Sequence, residues 1–147
     1  MADAAQVLNK SMANWKKWAD AKFEALVRQS IQEMCRTVVV ATPVDTGFLR
    51  GSWQPSIGDP AAAKGSLDES GSKALADVAV IVTSLKPGDR FQMWNNAAYA
   101  RRLEYGFVGE DSLGRHYDQK GRFYVTDSVK RWPQIVAKMA ADLGIQK

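Results

Sequence analysis

From Ala4 to Val40 the chain contains neither proline nor glycine, and apolar side chains recur along that run at steps of three and four: Leu8, Met12, Trp15, Ala19, Phe23, Leu26, Ser30 or Ile31, Met34 and Val38. That period marks the buried stripe of an amphipathic helix. With no breaker before Pro43, the pattern predicts a helix of about 35 residues, roughly 50 Å long at about 1.5 Å per residue. A helix of that length outruns the core that the remaining residues can supply, so its far end is expected to lean on another body such as a second subunit.

The chain has 147 residues, enough for one core and short for a two-domain enzyme, and is read as a single domain. At 46% hydrophobic and 24% charged it has an ordinary globular composition, which excludes a fully disordered chain. No apolar run approaches the roughly 20 residues that cross a bilayer, and the start MADAAQVLNK lacks the basic-then-apolar layout of a signal peptide. A soluble protein made in a reducing cytosol, with no membrane partner, is expected. The net charge of +4 is concentrated late: residues 90 to 147 carry ten basic and six acidic side chains, against four and six over 41 to 89. The excess is milder than the basic face of a dedicated nucleic-acid binder and reads first as solvated surface. Trp15, Lys16, Lys17 and Trp18 interleave aromatics with lysines, but the tryptophans three apart share a helix face, which favours packing over base stacking.

Thr42 precedes Pro43 and is thereby biased out of the helical region, which ends the long helix after about residue 41. In TPVDTGFLRGSW, Asp45 and Thr46 can bond nearby amides and Gly47 can take a positive φ. From Phe48, the alternation of Phe48, Arg50 and Ser52 with Leu49, Gly51 and Trp53 predicts a strand. Gln54 to Ser72 is rich in Gly, Pro, Ser and Ala and reads as a flexible loop, long enough at 19 residues to suggest an ordering partner. The next segment, SKALADVAVIVTSL, suits either a helix or a strand. The spacing of Leu75, Val78, Val82 and Leu85 favours the helix, with Ser72 as N-cap and KPGD as its end. RFQMWN alternates as a strand, and NNAAYARRLEYG offers Asn95 or Asn96 as a cap for a short helix closed by Gly106. Residues 107 to 122 read as a loop whose DSLGR and DQKGR are glycine-bearing turns about the tip of a loop or hairpin. Residues 123 to 144 form a closing amphipathic helix, with Pro133 near its start or at a kink and Gly144 as C-cap. The fold class is α+β: a long N-terminal helix, a small antiparallel or mixed sheet and a C-terminal helix.

Candidate chemistry is sparse. One histidine, His116 in a polar loop, and one cysteine, Cys35 beside the apolar face of the long helix, exclude a catalytic triad, an internal disulfide and the usual zinc sites. Phosphate-binding glycine loops are absent, and acidic pairs such as Asp68-Glu69 and Glu110-Asp111 fall in loops. No catalytic, metal or cofactor site is assigned. Tyr99, Arg101, Arg102, Glu104 and Tyr105 mix aromatic bulk with both charge signs, which fits a protein interface better than an active site.

Taken in order, TPVDTGFLRGSW, LKPGDRFQMWNN and NNAAYARRLEYG resemble a pattern of the small neck, or tail-completion, proteins of tailed double-stranded DNA bacteriophages. The resemblance covers roughly residues 5 to 140 and departs from the pattern after Gly106. It implies a non-enzymatic virion protein, made in the bacterial host cytoplasm and built into a ring of six or twelve copies. That ring would sit between the head connector or adaptor and the tail tube or terminator, around a channel through which DNA passes without sequence reading. On that basis Asp45, Gly47 and Trp53 shape the turn, Arg50 is a candidate for intersubunit pairing with Glu104, and Asn95, Asn96, Tyr99, Arg101, Arg102, Tyr105 and Gly106 belong to the same interface or turn set. A non-specific DNA-binding module and a small hydrolase are the alternative readings.

Overall fold

The computed structural model describes residues 3–60 and 65–145. Helix α1 (Ala4–Ala41) spans 38 residues, about 57 Å at about 1.5 Å per residue. It stops where expected: Thr42 is extended (φ −63°, ψ 125°), as a residue before proline prefers, while its N–H still donates to the carbonyls of Val38 and Val39.

After the turn comes α2 (Phe48–Gly51), a single helical turn, and only then strand β1 (Trp53–Ile57). This corrects the strand expected from Phe48. Gly47 sits in the left-handed region (φ 81°), the Thr46 hydroxyl accepts from the Phe48 amide, and the Gly51 amide donates to the Gly47 carbonyl at 2.8 Å. A six-residue alternation carries no information about such a turn. The segment from Gln54 to Ser72 is likewise not all loop. Gln54–Ile57 belongs to β1, Ser72 opens a helix, and Ser66 to Gly71 packs back on α2, where the Gly51 Cα lies too close to the Ser66 carbonyl for any side chain. Residues 61–64, part of the expected flexible stretch, lie outside the described residues.

Helix α3 (Ser72–Thr83) buries Ala74, Val78 and Val82 at four-residue spacing, so the helical reading of the β-branched run holds. Its N-cap position is Gly71, not Ser72, and Asp68 supplies the cap: its carboxylate accepts from the amides of Ser70, Gly71 and Lys73. Strand β2 (Phe91–Asn95) pairs antiparallel with β1, Trp53 opposite Asn95 and Ile57 opposite Phe91. Helix α4 (Ala100–Tyr105) leads into β3 (Gly106–Glu110), which pairs antiparallel with β4 (His116–Lys120). Residues 107 to 122 are therefore the hairpin of the two alternatives, with DSLGR at its tip, whereas residues 118–120 of DQKGR belong to β4 and are not a turn. At its tip Asp111 accepts from the amides of Leu113 and Arg115 and from the Arg115 guanidinium, and Gly114 takes φ 73°. The closing helix is bent into α5 (Tyr124–Val129) and α6 (Trp132–Asp142), because Pro133 can begin a helix but cannot donate within one. Among the described residues the strands form two separate two-stranded antiparallel sheets, where one small sheet was expected.

The C-terminal half of α1 is the centre of packing, flanked by α3 and by the α5–α6 arm. One core cluster joins Val38, Val39, Leu49, Trp53, Ala74, Ala97 and Tyr124, and a second joins Cys35, Val78 and Val82. Among the described residues no helix is long and apolar enough to cross a membrane.

Candidate assembly surfaces

The motif around Asp45 and Arg50 forms a knot at the end of α1. Arg50 Nη2 donates to the carbonyls of Val40 (2.9 Å) and Thr42 (2.8 Å), and its Nη1 donates to that of Glu69 (2.7 Å). One guanidinium thus satisfies carbonyls left over at the helix C-terminus and ties the Asp68–Ser70 segment to them. Thr42 donates its hydroxyl to the Val38 carbonyl (2.7 Å) and accepts the Trp53 indole N–H (2.8 Å), both inside the core. A Cβ on Gly47 would fall 2.5 Å from the Glu69 amide nitrogen, so the backbone approach itself demands glycine. Asp45 is exposed, and the amide-bonding role falls to Thr46.

Glu104 is buried at 5% exposure, and its carboxylate accepts from the amides of Val125 (2.9 Å) and Thr126 (2.8 Å) and from the Thr126 hydroxyl (2.5 Å). It caps the start of α5. In return the amides of Arg122 (2.8 Å) and Phe123 (3.0 Å) donate to the carbonyls of Leu103 and Glu104 at the end of α4, so the two short helices cap one another. The expected intersubunit pairing of Arg50 with Glu104 is not available: both side chains are used within the chain, and Glu104 does not reach the surface. Asn95 is also internal, donating its amide to the Leu49 carbonyl and accepting from Ala97 N–H, while Asn96 is exposed. Gly106 (φ 85°) opens β3 where a side chain would strike the Gln119 carbonyl at 2.6 Å.

The remaining interface candidates divide. Tyr99, Arg102 and Asp45 line one shallow surface with Phe107, Tyr117 and Arg122, on which the Arg102 guanidinium stacks 4.0 Å from the Phe107 ring centre. Arg101 is exposed, and Tyr105 lines a separate depression beside Gly106, Phe107 and Lys120.

Two larger apolar features complete the surface. Every residue from Asp3 to Trp18 is exposed, so the first turns of α1 project beyond the fold as a bare arm carrying Val7, Leu8, Met12, Trp15 and Trp18. Where the arm joins the body, Lys22 Nζ donates to the Leu143 carbonyl at 2.6 Å and fixes the end of α6 against α1. Beyond it an apolar groove of about 600 Å³ opens between α1, the β1–β2 sheet and the α5–α6 arm. Leu26, Ile31 and Met34 lie along its α1 wall, and Val129, Trp132 and Val136 form the opposite side.

No family model, curated protein or solved structure matches the chain. Among the described residues no group of three or more His, Cys, Asp or Glu is placed to hold a metal ion. The Cys35 thiol lines the groove, and burial pushes its pKa up to about 12, the wrong direction for a nucleophile. His116 is exposed on the hairpin, with Nδ1 3.9 Å from the equally exposed Glu110 carboxylate. The arrangement offers packing surfaces and charged rims. The groove went unseen in the sequence because its walls come from four separate segments. The capping role of Glu104 left no local signal either, since its partners lie 21 and 22 residues away.

Proposed function

We propose that the protein is a structural subunit of the head-to-tail neck of a tailed double-stranded DNA bacteriophage, assembling as a homo-oligomeric ring that joins the head connector to the tail around the DNA channel. The observation that carries this reading is the bare arm of α1. Side chains of the size of Val7, Leu8, Met12, Trp15 and Trp18 are not left on an extended helix of a solitary domain without something to cover them. The ordered run of motifs from TPVDTGFLRGSW to NNAAYARRLEYG supports the neck in particular, and several residues of those motifs, Thr42, Arg50, Trp53, Asn95 and Glu104 among them, bind the chain to itself. A ring multiplies the charge of +4 per chain, and lumen-facing lysines and arginines would hold DNA through its phosphates without reading bases.

The test is the mass of the purified protein by light scattering across a concentration series, alone and with connector or tail-tube protein. A discrete ring of six or twelve copies, formed alone or on the partner, is expected. A monomer that ignores both partners at every concentration would overturn the reading. Salt-dependent DNA binding by that monomer would turn the assignment to a DNA-binding module.

A further inference from the structure

We infer that the exposed arm of one copy seats in the apolar groove of another, so that residues 4–18 of each chain complete the core of a neighbour. This rests on the self-assembly in the reading above and is independent of the phage neck. The arm cannot fill its own groove. Helix α1 runs unbroken from the arm into the groove's wall, and with no proline or glycine between Ala4 and Ala41 it has no hinge on which to fold back.

The two surfaces match in chemistry, length and area. Val7, Leu8, Met12, Trp15 and Trp18 are each 52% to 68% exposed. Taking about 200 Å² for an aromatic side chain and somewhat less for an aliphatic one, the stripe of the arm presents on the order of 500 Å². A receiving surface of similar size, led by the exposed side chains of Phe23, Val129 and Trp132, brings the total to about 1,000 Å², which is about what a specific interface needs. The α1 wall of the groove runs from Phe23 to Val38, about 22 Å at about 1.5 Å per residue, which accommodates the stripe from Val7 to Trp18 at about 16 Å. Phe23 stands in both features, at the exposed end of the stripe and at the rim of the groove, so the apolar surface is continuous from one to the other.

The experiment uses the full chain. Met12→Asp combined with Trp15→Asp changes only exposed positions, so the fold, checked by circular dichroism, is expected to survive while the mass by light scattering falls to that of a monomer. In a second arm, a population carrying Met12→Cys is mixed with one carrying Val129→Cys under mild oxidation. The expected product is the crossed Met12→Cys to Val129→Cys disulfide between copies. A reciprocal pair that stops at two copies would keep the arm-in-groove contact while removing the ring. An oligomer of unchanged mass in the double aspartate variant would overturn the inference and leave the ring standing. Dominant Met12→Cys to Met12→Cys cross-links, marking arm on arm, would overturn it in the same way. A parent protein that stays monomeric, or whose monomer holds a small apolar molecule in the groove by native mass spectrometry, would overturn it as well.

Discussion

Replacing Glu104 by alanine separates a group that holds the fold together from one that joins subunits. The carboxylate is 5% exposed and accepts three hydrogen bonds, from the amides of Val125 and Thr126 and from the Thr126 hydroxyl. Loss of a helix cap costs about 0.5–2 kcal/mol. Hydrogen bonds to a charged group contribute about 1.5–3 kcal/mol each, are not additive, and leave a further penalty when a buried donor is orphaned. Water reaching the half-buried amides offsets part of this, so about 3 kcal/mol is expected for Glu104→Ala. Glu104→Gln, which keeps one acceptor oxygen and turns an amide N–H₂ toward the other donors, is expected to lose about 2 kcal/mol. With a urea m-value of about 2 kcal/mol/M, the alanine variant's midpoint should fall by about 1.5 M. The assay is equilibrium urea unfolding followed by tryptophan fluorescence, at a concentration where the mass is monomeric. Thr126→Ala, alone and combined with Glu104→Ala, closes a cycle in which the two losses should add to clearly more than the double variant's loss. A Glu104→Ala protein less than about 1 kcal/mol below the parent, yet unable to associate, would refute the capping account and return Glu104 to the interface.

Three further outcomes follow from the geometry. Gly47→Ala should cost at least about 2 kcal/mol, because φ is 81° and the new Cβ would meet the Glu69 amide nitrogen at 2.5 Å; Gly58→Ala, with φ 78° and open space around its Cβ, should cost only about 1 kcal/mol in the same urea assay. Arg50→Lys should lose about 2 kcal/mol by thermal or urea unfolding, since a single ammonium cannot span the carbonyls of Val40, Thr42 and Glu69 as the guanidinium does, and an unchanged midpoint would show the fork to be dispensable. Burial raises the Cys35 thiol from 9.0 and the Tyr124 phenol from 10.0, each to about 12, with the Glu104 charge adding to the effect at Tyr124. Both stay protonated in the fold while the unfolded chain releases their protons, so their stabilising effect is complete below about pH 9 and is lost as pH rises toward 12. Unfolding midpoints measured from pH 8 to 12 should decline, and the decline should be shallower in Tyr124→Phe.

How much of this was legible in the sequence depends on how local the deciding physics is. Helix α1 was readable because its stripe repeats over ten turns, and its excess length already implied the arm. Helix α3 was readable in spite of its valines because Leu75, Val78, Val82 and Leu85 recur at helical spacing, and burial of the face that holds Val78 and Val82 with Ala74 outweighs β-branched propensity. Helix α2 was not, since its four residues turn where Gly47 meets Glu69 and Arg50 reaches three carbonyls, contacts that reach up to about 20 positions along the chain. The hairpin after Gly106 was visible only at its tip, because His116–Lys120 is polar apart from Tyr117 and β3 exposes Val108, leaving no alternation to read. Of the interface set, Asp45, Tyr99 and Arg102 do meet on one surface, whereas Arg50, Trp53, Asn95 and Glu104 turn inward. Short polar motifs look alike in sequence whether they bind a neighbour or bind the chain to itself.

The arm and the α1 wall of the groove belong to one unbroken helix, and this gives the proposed assembly its geometry. A joint built on a flexible linker would fix which surfaces meet and leave their angle free. Here the direction of the arm is set by the packing of the rest of α1 against α3 and the α5–α6 arm, and at its base by the Lys22 contact to the Leu143 carbonyl. The angle between neighbouring copies is therefore set by core packing, which responds to strain in discrete steps and not continuously. A fixed angle repeated head to tail closes at a definite copy number where the rotation completes a circle and winds into an open filament where it does not, whereas a variable one yields a distribution of sizes. The Arg50 knot contributes at the other end of the same helix by holding the last turn of α1 to the Glu69 carbonyl. Substitutions there are accordingly expected to broaden the distribution of assembled sizes even where the contact between arm and groove is untouched.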